Sequence, residues 1–149
     1  MKRYAVLATA VAVLATAAVS LAGPTGHGAR TTTVRLRATS LGSILATAGG
    51  RTIYVFGRDG RNRDRCAAIN GCLSVWPMVT SSGRPLAGPG ASRALLGTIR
   101  VHGATQVTYA GRPLYTYAGD TAAGETGYVG ISQFGGAWLA VTGHGRLVK

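Results

Sequence analysis

The ten residues from Gly50 to Asp59, GRTIYVFGRD, return almost unchanged as GRPLYTYAGD from Gly111 to Asp120. A chain that repeats one strand-and-turn unit has few ways to fold. A lone hairpin is not stable in water, so two copies are expected to pack into one core. Other landmarks accompany the two stretches in the same order. Leu41-Gly42-Ser43-Ile44 precedes the first, and Leu96-Gly97-Thr98-Ile99 precedes the second. WPMVT (Trp76 to Thr80) follows the first, and WLAVT (Trp138 to Thr142) follows the second. On these landmarks the copies run from about 41 to 80 and from about 96 to 142.

Alternation assigns the faces of the repeated strand. Tyr54 and Phe56 share one face, as do Tyr115 and Tyr117. Ile53 and Val55 take the other face of the first copy, and Leu114 and Thr116 that of the second. The first strand is apolar on both faces and reads as central. The paired aromatics are expected to stack across the axis relating the copies. Each unit then ends in aspartate. An Asp carboxylate accepts backbone N–H groups about two residues on, so Asp59 and Asp120 read first as turn formers. The sharper reading notes that the chain has only four acids. Asp59 lies near Asp64, and Asp120 near Glu125. Two such pairs, with Asn62, could converge on a hard cation such as calcium, although no known calcium-loop pattern is present.

The rest of the chain reads as short strands and tight turns. TVRLRAT alternates from Thr33 to Thr39 as a half-buried strand. Twenty-three glycines, in pairs such as Asp59-Gly60, Ala110-Gly111 and Gly143 to Gly145, supply the positive φ angles of turns. The expected fold is all-β: a small antiparallel sandwich or barrel-like domain of two tandem pseudo-repeats with short helical turns at most. Those turns are expected at Ala91 to Leu96 and within Cys66 to Val75. Pro77 is expected to keep the Trp76 strand at an edge.

The first 22 residues read as a secretory signal peptide. Lys2 and Arg3 precede an uncharged run from Tyr4 to Ala22, and Ser20 and Ala22 suggest cleavage before Gly23. An uncleaved membrane anchor is the alternative reading of the same run. No other stretch could span a bilayer. Residues 23–32 read as a flexible linker and 33–149 as one domain. Removing the leader takes the net charge from +12 to +10, nearly all of it arginine. Such a surface attracts anionic polymers. No nucleic-acid motif is present, and an exported protein rarely meets nucleic acid.

Cys66 and Cys72 are the only cysteines, and in an exported chain a disulfide is the default. A zinc site would need more ligands at suitable spacing, and C-x5-C is not the redox C-x-x-C. His102 and His144 sit beside glycine in expected turns, with axial haem ligation as the rarer alternative. Trp76 and Trp138 read as core anchors rather than a sugar-stacking platform. No nucleophile paired with a base is visible, and no G-x-S-x-G elbow.

The ordered set of Y-x-[FWY]-x-x-D in Tyr54 to Asp59 and Tyr115 to Asp120, the two cysteines before Trp76-Pro77, and Gln106-Val107-Thr108-Tyr109 before the second copy resembles a bacterial family. That family is the secreted repeat of unknown function, predicted lipoproteins with a conserved Y-x-[FWY]-x-x-D motif. The resemblance covers Val34 to Val141. It implies export, often with a lipid anchor, and no activity to carry over. This chain departs from similar proteins in lacking the lipobox cysteine, in its longer cysteine gap, and in Met78 where a second proline is common. The expectation is a non-enzymatic envelope or extracellular module that meets an anionic wall polymer or an envelope protein. The alternative is a small-cofactor or metal site built from Tyr54, Phe56, Asp59, Tyr115, Tyr117 and Asp120, with the cofactor itself unknown.

Overall fold

A computed structural model describes residues 31–149. The expected leader and most of the expected linker lie outside the described residues. Thr32 lies inside and is tied to the domain, its N–H donating to Ser81 Oγ and its hydroxyl to the Thr80 carbonyl.

The chain is built from short, mostly antiparallel strands. The first copy opens with a hairpin of β1 (Thr33–Thr39) and β2 (Gly42–Thr47). The motif strand β3 (Tyr54–Phe56) follows, and then a loop with a 3-10 turn at Cys66–Ala68 and the single-turn helix α1 (Cys72–Val75). β4 (Leu86–Ala87) returns to lie parallel to β1. A second 3-10 turn at Arg93–Leu95 leads into β5 (Leu96–Val101) and β6 (Ala104–Tyr109), the hairpin of the second copy. β7 (Arg112–Pro113) pairs with β6. β8 (Ser132–Gln133) and β10 (Leu147–Val148) both pair with β9 (Gly136–Val141). No closed barrel forms among the described residues. The helical turns are as short as expected, and the one in Ala91 to Leu96 is confined to Arg93–Leu95.

The pairings reveal how the copies interlock. β3 of the first copy pairs with β9 of the second, placing Tyr54 opposite Ala140 and Phe56 opposite Trp138. The reciprocal pairing sets Tyr115 opposite Met78. Ile44 meets Thr142, and Gln106 meets Thr80. Each motif strand therefore pairs with the Trp segment of the other copy. At the centre Tyr54 and Tyr115 pair with each other, exchanging N–H to C=O bonds of 2.8 and 2.9 Å. A pseudo-twofold axis passes between them.

The same pairings realign the copies. Arg37 pairs with Ile44 as Ile99 pairs with Gln106, so β1 corresponds to β5 and β2 to β6. Leu41-Gly42-Ser43-Ile44 enters the second strand of its hairpin, whereas Leu96-Gly97-Thr98-Ile99 lies in the first strand of its own. The two tetrapeptides look alike because both carry a small-residue, β-branched strand start, and they are not structural equivalents.

Alternation divides the core as expected. Ile53 and Val55 join Val34, Leu45, Val107, Leu114 and Val141 in an aliphatic layer. Tyr54 and Phe56 face a separate aromatic layer with Trp76, Tyr115, Trp138 and both cysteines. Turn chemistry fixes both tight turns of the second copy, β6 to β7 and β5 to β6. Ala110 and Gly111 both hold positive φ, 50° and 75°, the type I′ geometry that suits the strand twist. His102 and Gly103 do the same at 47° and 81°.

Candidate functional site

The motif residues come together at the axis. The pairing of Tyr54 with Tyr115 brings each tyrosine hydroxyl to the aspartate of the other copy. Tyr54 donates to Asp120 Oδ2 at 3.0 Å, and Tyr115 donates to Asp59 Oδ2 at 2.7 Å. Both tyrosines are fully buried, and Asp120 is 7 % exposed. Burial pushes both phenols well above the ordinary tyrosine value, and the facing carboxylate of Asp120 or Asp59 adds to the rise. They remain protonated donors at any ordinary pH. Burial also raises Asp59 to about 6, against the lowering effect of the Arg65 N–H and the Tyr115 hydroxyl. Asp120 is raised by burial too, partly offset by the Tyr54 hydroxyl and Arg51.

Their role differs from the short Asx turn expected. Asp59 Oδ1 accepts from the Arg65 N–H at 2.8 Å, well beyond the two-residue reach of an Asx turn. The backbone turn after Asp120 is held instead by Glu125, which accepts from the N–H groups of Thr121 and Ala122 and from the Thr121 hydroxyl. Those bonds hold the Glu125 carboxyl below its usual range. Asp64 accepts from the Ala67 N–H at 2.8 Å. The neighbouring acids do the local turn work, and the motif aspartates clamp the opposite copy. The carboxylates are thus committed within the protein, and among the described residues no group of three or more His, Cys, Asp or Glu side chains is placed to hold a metal ion.

The aromatic residues form a ladder. Trp76 and Trp138 stack face to face, with ring centroids 3.8 Å apart and planes 3° from parallel. Phe56 continues the stack beyond Trp138 at 4.4 Å, and Tyr117 lies against Trp76 at 4.8 Å. The order alternates between copies, so the stack obeys the pseudo-twofold axis. Tyr54 and Tyr115 do not stack on each other as expected. Their backbones pair, and their rings meet the tryptophans edge-on, Tyr54 on Trp76 and Tyr115 on Trp138. Edge-to-face contacts suit the ring quadrupoles. It is the second aromatic of each motif, Phe56 and Tyr117, that joins the stack. Both tryptophans are fully buried, which makes them core anchors. Trp76 caps the end of α1 and enters no ladder, so Pro77 is an edge-strand proline only in its neighbour Met78.

Sequence reasoning missed three participants. Gln133 receives both indole N–H groups, that of Trp76 on its side-chain oxygen at 2.8 Å and that of Trp138 on its carbonyl. Tyr128 extends the ladder beyond Tyr117, at 3.7 Å. Arg51 donates to the Tyr117 carbonyl. Only Arg51 carried a signal, as the Gly-Arg start shared by both copies.

Cys66 and Cys72 form the expected disulfide, with Cα atoms 5.4 Å apart. His102 and His144 are exposed in turns, on different hairpin ends. The surface concavities are shallow. One of about 330 Å³ lies between the Asn62–Ala68 loop and the end of β5, with Arg63, Asp64, Ile99, Arg100 and His102 in its wall. Among the described residues no helix is long and apolar enough to cross a membrane.

A family described as the secreted repeat of unknown function matches the chain twice, over residues 36–80 and 98–142. Those bounds agree with the structural realignment, since the first match begins inside β1. No curated protein and no solved structure matches the chain.

Proposed function

Because the chain belongs to the family of secreted repeats of unknown function and is an extracellular protein, we propose that it is a non-enzymatic binding module whose arginine surface meets an anionic component of the cell envelope. One observation carries this reading. Each of the four acids accepts at least one hydrogen bond within the domain, from tyrosine hydroxyls or backbone N–H groups, and of their oxygens Asp64 Oδ2 alone is buried without a partner among the described residues. Of the arginines, Arg51 lies near Asp120 and Glu125, and Arg58 and Arg100 each donate one N–H to neutral oxygens of the domain. Arg58, Arg61, Arg63, Arg65, Arg100 and Arg112 are all exposed. Most of the positive charge therefore faces outward, in excess of the acids, and it draws polyanions by long-range attraction. Phosphodiester or uronate polymers of the wall are the fitting class.

The motif residues support the same reading from the other side. A ligand pocket needs polar groups with free valences in a concave site. Tyr54, Tyr115, Asp59 and Asp120 satisfy one another; the two tyrosines and Asp120 are buried, and Asp59 is half-buried. The alternative, a metal or small cofactor held by the motif, would have to break the crossed bonds first.

The test is sedimentation of the protein with purified wall material. Binding at low ionic strength that disappears in about 1 M salt, where the Debye length is about 3 Å, is expected. An Arg61→Gln/Arg63→Gln/Arg112→Gln variant is expected to sediment less. Binding indifferent to salt and to these substitutions would overturn the electrostatic reading.

A further inference from the structure

The internal symmetry shows an edge that is covered in one copy and bare in the other. In the first copy the segment after the Trp strand returns to β1. The Leu86 N–H donates to the Thr32 carbonyl at 2.9 Å and the Gly88 N–H to the Val34 carbonyl at 2.7 Å, while the Leu36 N–H donates to the Pro89 carbonyl at 2.9 Å. β4 thus lies parallel to β1 and closes its outer edge. In the second copy the corresponding segment, β10, turns antiparallel onto β9 instead. β5 corresponds to β1, and Leu96 and Thr98 stand where Val34 and Leu36 stand. Among the described residues no backbone group bonds to them from outside.

The direction of those backbone groups follows from the ladder. In an antiparallel pair, residues alternate between bonding their partner and pointing away. The Val107 N–H donates to the Val79 carbonyl and the Thr105 carbonyl accepts from Ser81, both on the far side of β6. Thr98 and Arg100, opposite Val107 and Thr105, therefore turn their own N–H and C=O groups to the outer edge. Both residues are exposed.

We propose that the outer edge of β5 is a docking site for an extended, acidic segment of another protein, which adds as a parallel strand in the way β4 covers β1. Strand addition draws its affinity from main-chain bonds and its selectivity from side chains. The selectivity here is electrostatic. Arg93 precedes the strand, Arg100 lies on it, and Arg63 and His102 flank its end, with Asp64 the one acid beside them, so that three arginines stand against a single carboxylate. Acidic side chains on the incoming strand complement that row. A second copy of this chain, +12 in full and +10 without the expected leader, would bring more positive charge to a surface already positive, so self-pairing is the weaker occupant. The inference takes from the preceding section only the outward direction of the charge, and it names a protein partner at one edge rather than a polymer across the surface.

The test uses a synthetic peptide of residues 84–90, the segment that covers β1, carrying Arg84→Glu and Leu86→Glu. Binding is followed by amide chemical shifts and hydrogen exchange of the protein. Shifts and added protection at the Thr98 and Arg100 amides, with none at Val34 or Leu36, are expected. Thr98→Pro removes an outward N–H at a position where an edge strand tolerates proline, and it is expected to weaken the peptide at least tenfold. Arg100→Glu is expected to reverse the preference for the acidic peptide over the unsubstituted one. Wall sedimentation of Thr98→Pro should be unchanged, which separates this site from the surface reading. A silent Thr98 amide at millimolar peptide, or undiminished binding by Thr98→Pro, would overturn the proposal. So would a dimer that dissociates in Thr98→Pro, since the edge would then serve a second copy.

Discussion

Tyr54 donates its hydroxyl proton to Asp120, 66 residues further along the chain, and not to the aspartate of its own motif. Tyr115 reciprocates with Asp59. The repeated motif is therefore one half of a crossed clamp, and neither copy can complete it alone. This accounts for why tyrosine and aspartate must recur together. A buried carboxylate needs donors, and a buried phenol needs an acceptor.

The clamp makes stability depend on pH. Asp59 is raised from 3.8 to about 6 in the folded chain, and Asp120 is raised as well. The native state then binds more protons than the unfolded state between about pH 4 and 6, so stability falls as pH rises through that window. Glu125 acts in the opposite sense below its ordinary 4.5, where its contribution is lost as pH falls through its folded value. Urea unfolding is expected to give a lower free energy at pH 7 than at pH 5. Asp59→Asn should flatten that difference, and a rise from pH 5 to 7 in the native protein would contradict it.

The tryptophan stack should give a spectroscopic signature. Two parallel indoles at 3.8 Å couple their transitions. A circular dichroism couplet is expected, and Trp76→Phe and Trp138→Phe should each abolish it. Trp76→Ala is expected to cost about 3–5 kcal/mol, as for other buried tryptophans. A cost under about 1 kcal/mol would show that the stack is not a core.

The disulfide closes a short loop, and its entropic stabilisation is small, on the order of 2 kcal/mol. A Cys66→Ala/Cys72→Ala variant is expected to fold with that loss and an unchanged denaturant slope. A failure to fold would mean that the bridge organises the aromatic layer as well as stapling the loop.

Gly119 explains itself by what lies above it. A Cβ there would run into the ring of Tyr117. Gly119→Ala is expected to push Tyr117 off Trp76 and to destabilise by about 1–3 kcal/mol, as overpacking does, with a loss of near-ultraviolet dichroism. Unaltered dichroism and stability would place the Tyr117 ring elsewhere.

Much of this was legible in the sequence. Period-two alternation separated Tyr54 and Phe56 from Ile53 and Val55, and the structure keeps them on different layers. The cysteines, the export context and the duplication were also readable, because each rests on composition or repetition. The partner of each aspartate was not. Local spacing favours a short Asx turn, and only the three-dimensional crossing of β3 with β9 brings Asp120 to Tyr54. The tetrapeptide before each motif misled for a related reason. Leu-Gly-Ser-Ile and Leu-Gly-Thr-Ile match as strings, but hairpin register sets equivalence, and register is fixed by pairing that no single strand encodes. The bare edge of β5 was invisible for the same cause, since β10 and β4 carry similar residues and differ in which strand they meet and in which direction.

The crossing itself is tested most directly by two double-mutant cycles on unfolding free energy. One pairs Tyr54→Phe with Asp120→Asn across the copies, and the other pairs Tyr54→Phe with Asp59→Asn within one copy. The crossed pair is expected to couple by about 1.5–3 kcal/mol, the scale of a hydrogen bond to a charged group. The pair within the copy should couple by less than about 0.5 kcal/mol. Coupling within the motif and none across it would contradict the clamp, and the repeated aspartates would return to being turn residues of their own strands.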